Sequence, residues 1–484
     1  MPGGEYIMIW LTIALLLFIF QIATILVAEF RRPSKGIAWL TITFFLPIVG
    51  FLVYYFIARE YRQRTMVKRR ERETAEEASR HPLPQIHRLM RAEAFPNPAL
   101  REESRFFGLL NSFPDAAITT RNDTTVLASA QETYRVMLQD IERATDHIHM
   151  LYYIWNDDVW GKRFHDALIR KALEGVEVRI IYDGIGAYST PRGFWDGLRA
   201  TGGHVHCFLP AFIALFDKRL NYRNHRKITV VDGKVGYVGG INIGDEYTGT
   251  DKKLGYWRDT SVRLMGDAVL ELQRCFLRDW QFVCGERLPY STQYFPRHEV
   301  SATDTVQIVP SGPDSSWNTI LEMYFGAFGT ARQRIYVTTP YLIPDQSLLM
   351  SLKTAALSGV DVRVVIPGVA DSKLTLWASL SYVEELLQTG VRVYRYRKGF
   401  MHAKTVIVDD HFASTGTANM DLRSFFSNFE INAAFFDERI VHRFASDLLL
   451  DIADSEEIRL PAFAMRGRLQ RGKETIGRLL APLL

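Results

Sequence analysis

Two stretches of the chain, NHRKITVVDGKVGYVGGIN at 224–242 and MHAKTVIVDDHFASTGTAN at 401–419, repeat one set of polar residues at one spacing. Each has a histidine (His225, His402), a lysine two residues on (Lys227, Lys404), an aspartate seven on (Asp232, Asp409) and an asparagine seventeen on (Asn242, Asn419). Alternate side chains of a strand share a face, so each imidazole and its ammonium point into one space. Asp-Gly after the first strand suits the tight turn of a hairpin, which puts Asp232 and Asp409 at strand ends with odd parity relative to the histidines. These carboxylates complete the catalytic motif but are expected to hold the turn or neutralise a cation, not to touch substrate. The return strands end in GGIN and GTAN, where small residues admit a ligand close to the backbone and the asparagines offer amide donors.

If the two stretches face each other, two histidines, two lysines and two asparagines make a pocket of donors. Such a pocket suits a phosphate, and it would stabilise charge on a five-coordinate phosphorus. Two histidines at one phosphorus can divide the work: a neutral imidazole attacks to form a phosphohistidine, and a protonated one gives its proton to the leaving alkoxide. Each imidazole then needs its far nitrogen held. Mirrored carboxylates are available, Asp259 in YWRDTSVRL and Glu430 in NFEINAAFF, each near the start of a strand-like run. A lone His-x-Lys in a strand usually has no chemical role, but a complete set repeated at fixed spacing is a strong signal. By contrast, His147 with His149 and His204 with His206 lack a third ligand at a sensible spacing and read as ordinary strand histidines, so no metal site is expected. Phe425, Phe426 and Phe429 read as packing.

The positioning elements also repeat. ALEGVEVRIIYDG (172–184) returns as ALSGVDVRVVIPG (356–368), each a helix end, a glycine stop and a buried strand. HIHMLYYIW and RIYVTTPYLI precede them at matching places. The alternation predicts an α/β fold of two similar α/β/α units with mostly parallel sheets, packed about a pseudo-twofold. The units are expected at 113–295 and 296–484, after a linker at 61–112.

The first 60 residues differ in kind. Residues 6–27 are apolar apart from Thr12, Gln21 and Thr24, and a helix of that length crosses a hydrocarbon layer. A second apolar run, 37–57, contains Pro47, and the two predict a transmembrane hairpin. A cleaved signal peptide fits less well, because no Lys or Arg precedes the first run and a second run follows. Arg31, Arg32 and Lys35 lie in the hairpin loop, whereas Arg59, Arg62, Arg64, Lys68, Arg69, Arg70 and Arg72 follow the second run, which favours a cytoplasmic catalytic domain. The chain has 484 residues, 58 basic and 54 acidic, so no global charge points to nucleic acid. Its three cysteines form no CxxC pair and read as reduced thiols.

The doubled His-x-Lys-x4-Asp at His225, Lys227, Asp232 and His402, Lys404, Asp409 resembles that of the phospholipase D superfamily. With the amino-terminal hairpin, YWRDTSVRLMG, TPYLIPD and RLLAPLL, the chain is similar to the bacterial cardiolipin synthases from the first span to the last residue. The resemblance implies reversible transesterification in the bacterial cell membrane, two phosphatidylglycerol molecules giving cardiolipin and glycerol, with no metal and no nucleotide cofactor. The phosphatidyl group would sit on His225 or His402. Two positions depart slightly: Thr417 stands where the family commonly has Ser, and its counterpart is Gly240. Water or another alcohol as acceptor, giving a phospholipase D hydrolase or a different phosphatidyltransferase, is the alternative; a non-catalytic membrane scaffold is a reading of another class. The implied partners are phosphatidylglycerol and an anionic membrane, not nucleic acid. The basic tail MRGRLQRGKETIGRLLAPLL either lies on anionic lipid or packs on the domain.

Overall fold

The computed structural model describes residues 3–30, 33–58, 88–95, 97–210 and 222–484. The basic cluster at 59–72 and most of the linker expected at 61–112 lie outside the described residues, as do Arg31 and Arg32.

Helix α1 (Gly3–Ala28) contains a stretch, Met8–Ala28, long and apolar enough to cross a membrane, with little of it buried by the rest of the chain. The second apolar run is not one helix. It divides into α2 (Pro33–Phe45) and α3 (Pro47–Val53), followed by a π-helical turn, Tyr54–Ala58. Pro47 has no N–H to give, and its ring disfavours helical backbone at the preceding residue; Leu46 accordingly leaves the helix at φ −132°, ψ 69°. The segments are tied together through Glu29, which pairs with Lys35 at 3.7 Å and accepts from the Tyr54 hydroxyl at 3.1 Å. Ile25, Trp39 and Tyr54 pack beside them.

Among the described residues, two large sheets carry most of the rest. The first runs in the order Asn122–Leu127, Ser261–Gly266, Val235–Gly239, Ile228–Val231, His147–Tyr152, Glu177–Asp183, His204–Phe208. The second repeats that order with Val306–Ser311, Asn428–Phe435, Phe412–Gly416, Thr405–Val408, Arg334–Thr338, Asp361–Pro367 and Arg392–Tyr396, and adds Ile118–Thr119 and Ser455–Ile458 at its edges. Only the last three strands of each seven-strand series are parallel; the other pairings are antiparallel. The expectation of mostly parallel sheets is therefore corrected to mixed sheets. The motif hairpins join neighbouring strands by short turns, and short turns can only make antiparallel pairs.

Helices Asp267–Cys284 and Glu438–Ala453 follow equivalent strands, and both enter one apolar core between the sheets, where Leu272, Phe276 and Trp280 share a cluster with Phe435, Phe444 and Leu448. The strand histidines are structural. His147 and His149 are buried and share Gln273, at 3.1 and 2.8 Å, and His149 stacks on Phe276. His206 lies against Trp280. Phe425 and Phe429 are buried in the two apolar clusters, and Phe426 packs beside one of them.

Candidate active site

The placement of His225 and His402 follows from two very short strand pairings. Arg223–Asn224 runs parallel to Asn428–Phe429, and the His225 N–H donates to the Phe429 carbonyl at 2.9 Å. Gly399–Met401 runs parallel to Tyr256–Arg258, and the His402 N–H donates to the Arg258 carbonyl at 2.7 Å. Each histidine is thereby zipped, through the backbone, to the residue just before a carboxylate of the opposite sheet.

The side chains complete that crossing. His225 Nδ1 lies 3.1 and 3.0 Å from the Glu430 oxygens, and His402 Nδ1 lies 2.6 Å from Asp259 Oδ2. Burial alone would raise the Asp259 carboxyl, but Lys404 and His402 overcome it and hold it below the usual range. The same contest at Glu430 is won by His225 and Lys227. Both carboxylates are therefore ionised and can only accept, so each Nδ1 donates and each Nε2 keeps its lone pair. The carboxylates are fully sealed, whereas the imidazoles keep 13% and 10% of their side-chain surface open.

Burial pushes both imidazoles down, His402 to about 4 with Lys404 pressing the same way. Both are neutral at pH 7. Lys227 Nζ donates to the His225 carbonyl at 2.7 Å and Lys404 Nζ to the His402 carbonyl at 2.6 Å, which fixes each ammonium beside its ring. Burial lowers Lys227 to about 7 and Lys404 to about 8, and Lys404 presses on both Lys227 and His225. The two motifs thus share one electrostatic space. Tyr153 faces His225 at 5.1 Å with Lys227 over its ring, and Trp257 faces His402 at 5.0 Å.

The two aspartates stand apart from this chemistry, at the far ends of the strands that begin after the lysines. Asp232 accepts from the N–H groups of Thr145, Asp146 and His147, and Asp409 from those of Arg332, Gln333 and Arg334, so each caps the start of a central strand. Both adopt left-handed backbone, φ 53° and 48°, a region that Asp tolerates better than most residues. The asparagines are not equivalent. Asn242 is committed to its own sheet, accepting from Ile154 N–H and donating to the Tyr247 hydroxyl, both at 3.1 Å. Asn419 keeps a buried Oδ1 with no partner.

Sequence reasoning missed the arginines beside the motif. Arg226, between His225 and Lys227, makes a two-pronged bond to Asp279 at 2.6 and 2.8 Å and donates to the Glu430 carbonyl at 3.0 Å. Arg258 binds Asp451 at 2.7 Å and the Asp259 carbonyl at 2.7 Å. Each arginine clamps the backbone at a carboxylate. The signal was their place directly beside a motif residue, Arg226 with parity opposite to its neighbours.

The match to a family model described as "Cardiolipin synthase, PLD-like domain" covers residues 137–280 and 324–450. The chain is 40% identical to the "Major cardiolipin synthase ClsA" of Bacillus subtilis (strain 168), over 97% of this chain and 99% of that protein. It is also 40% identical to a "Cardiolipin synthase" of Listeria monocytogenes, over 98% of each. The chain belongs to the cardiolipin synthase family. Both matched ranges of the family domain include one His-x-Lys motif and one of the exchanged carboxylates. Among solved structures, the phosphatidylserine synthase of Haemophilus influenzae has the same fold, with a TM-score of 0.59 at 15% identity, covering 78% of this chain and 95% of that one. Among the described residues, no group of three or more His, Cys, Asp or Glu is placed to hold a metal ion.

Proposed function

We propose that this chain is a membrane-bound cardiolipin synthase in which His225 and His402 act on one phosphorus. The observation that carries the reading is the exchange of carboxylates, His225 to Glu430 and His402 to Asp259, which holds both imidazoles in the same tautomer. One neutral Nε2 attacks the phosphorus of a first phosphatidylglycerol, a P–N bond forms, and the P–O bond to glycerol breaks. The opposite histidine, protonated once the anion has entered, gives its proton to the departing glycerol oxygen. It then takes a proton from the terminal hydroxyl of a second phosphatidylglycerol as that oxygen attacks the phosphohistidine. The P–N bond breaks and cardiolipin leaves. Lys227 and Lys404 balance the phosphate charge, and an anion between them favours their protonated forms. The Asn419 side chain bonds Asp421 and keeps its Oδ1 free to accept from a substrate hydroxyl, whereas Asn242 orients its own loop. Asp232 and Asp409 act only by holding the strands.

The finer architecture belongs to the same reading. Two phospholipase D-like units, 113–295 and 296–484, are related by a pseudo-twofold; the support is the repeated strand order and the reciprocal carboxylates. A transmembrane hairpin formed by α1 with α2 and α3 holds them at the bilayer, and the basic residues after it favour the cytoplasmic face. Substrates and product then remain in the lipid, and little water reaches the intermediate. The test uses the full chain in vesicles of phosphatidylglycerol. Equal amounts of cardiolipin and glycerol, lost in His402→Ala, are expected; phosphatidic acid would mean that water is the acceptor, and an unchanged yield in His402→Ala would remove the histidine from the chemistry.

A further inference from the structure

Away from the histidines, a cavity of about 760 Å³ lies between the helix Lys373–Gln388, the edge strand Ser455–Ile458 and the carboxy-terminal helices. Leu376, Trp377, Leu380 and Phe463 give it an apolar wall. Three glutamates also line it, and each already has an arginine: Glu456 with Arg397, Glu457 with Arg392 at 2.9 Å, and Glu474 with Arg466 at 2.7 Å. Arg395 is different. It is half-buried in the lining and, among the described residues, has no hydrogen bond or ion pair. Glu456, directly across the strand pair from Arg395, pairs with Arg397 instead, so the half-buried guanidinium keeps its donors, and its planar fork suits a phosphate or carboxylate. An apolar wall beside it would be wasted on a small inorganic anion.

The surroundings supply the source of such a ligand. The helix Arg468–Leu480 lines the cavity with Gln470 and Glu474 and packs on Lys373–Gln388, with Gly477 against the Ala378 backbone and Arg478 over Tyr382. Its opposite side leaves Leu469 and Ile476 exposed, together with Met465 just before it. The turn after it, Ala481–Leu483, brings Leu483 against the Ile25, Trp39 and Tyr54 cluster of the amino-terminal helices. The basic tail therefore packs on the domain, one of the two outcomes expected for it, and turns an apolar face outward beside the amino-terminal helix that is long and apolar enough to cross a membrane.

We propose that this cavity is an accessory site for one anionic phospholipid, its phosphate on Arg395 and its glycerol and upper acyl atoms along Trp377 and Phe463. The choice of a phospholipid rests on the synthase reading above. Arg395 lies on the strand Arg392–Tyr396, a few residues upstream of the strand that positions His402, so the site borders the catalytic frame without belonging to it.

The test is photolabelling of the full chain in uncharged detergent by phosphatidylglycerol carrying an acyl-chain diazirine, with adducts mapped by peptide mass spectrometry. In a His402→Ala background, which removes turnover, adducts are expected on the peptides of Trp377 and Phe463. They should fall by at least about tenfold with Arg395→Gln, the loss expected for a charge-assisted contact. Ala462→Trp, at an exposed position of the rim, should block labelling while leaving the core untouched. Unlabelled phosphatidic acid should compete. Equal labelling in Arg395→Gln and its parent, or labelling confined to the peptides of His225 and His402, would overturn the proposal. So would equal competition by inorganic phosphate, which would assign the site to a soluble anion. Labelling at Trp377 in a chain with both histidines intact that makes no cardiolipin from phosphatidylglycerol vesicles would count against the synthase reading alone.

Discussion

Replacing Glu430 by Gln keeps the size of the side chain and an oxygen that can accept from His225 Nδ1, but removes the charge. In the structure that charge is fully buried, 3.0 Å from the imidazole, and also receives the Thr417 hydroxyl at 2.5 Å and the Asn428 amide at 3.2 Å. A charge-assisted hydrogen bond of this kind contributes about 1.5–3 kcal/mol, which converts to a loss of about tenfold to about 150-fold in kcat if the bond matters most when the imidazole is protonated. The pH profile should change with it. Burial already lowers His225 and Glu430 is what opposes it, so the variant imidazole becomes still harder to protonate and the proton-donating limb moves to lower pH. The assay is cardiolipin formation from phosphatidylglycerol vesicles across pH, with circular dichroism to establish folding. A folded Glu430→Gln that keeps more than half of the wild-type kcat and an unmoved profile would refute the reasoning.

Gly240→Ala should act on the other histidine: a Cβ there would lie 2.3 Å from Asp259 Oδ1, so the carboxylate must shift away from His402, and kcat is expected to fall about 10- to 100-fold, as for other losses of an orienting carboxylate. Asp232→Ala should leave turnover per folded molecule nearly unchanged but lower the thermal midpoint, since three backbone N–H groups lose their acceptor at a cost of about 2–4 kcal/mol in total; a loss of turnover without a shift in midpoint would return Asp232 to the chemistry. Because Lys227 titrates at about 7 and Lys404 at about 8 in the empty pocket, binding an anionic headgroup at pH 8 should take up protons, and KM should rise above pH 8 as both ammoniums are lost. Calorimetry in buffers of different ionisation enthalpy measures that uptake, and a null result would mean that the lysines stay charged without substrate and that no imidazole is protonated on binding.

The paired histidines and lysines of the candidate site could be nominated from the sequence because each motif lies within a single hairpin, where period two decides what shares a face. Asp259 and Glu430 could be nominated from their mirrored places, but which histidine each would hold could not be read. It depends on parallel pairings of two or three residues, Arg223–Asn224 with Asn428–Phe429 and Gly399–Met401 with Tyr256–Arg258, that join segments far apart in the chain. Strands that short carry no periodic signal. The unequal asparagines were hidden for a similar reason: Asn242 is engaged by Ile154 and Tyr247, and nothing in the repeat marks those as its partners. Val and Ile runs announce buried strands without announcing direction, so the mixed sheets had to come from the hairpins. At Pro47 the apolar composition suggested a continuous span, while the local rule for the residue before proline prevailed at Leu46.

The central claim is that the phosphatidyl group passes through a histidine. Its most direct measurement is the stereochemical course at phosphorus, followed with phosphatidylglycerol made chiral by a single phosphorothioate oxygen and read in the cardiolipin produced. Two successive in-line displacements, onto a histidine and off it, invert twice and give overall retention. Retention is the expected result. Overall inversion would mean that the second phosphatidylglycerol attacks the first directly, leaving the paired histidines to move protons only.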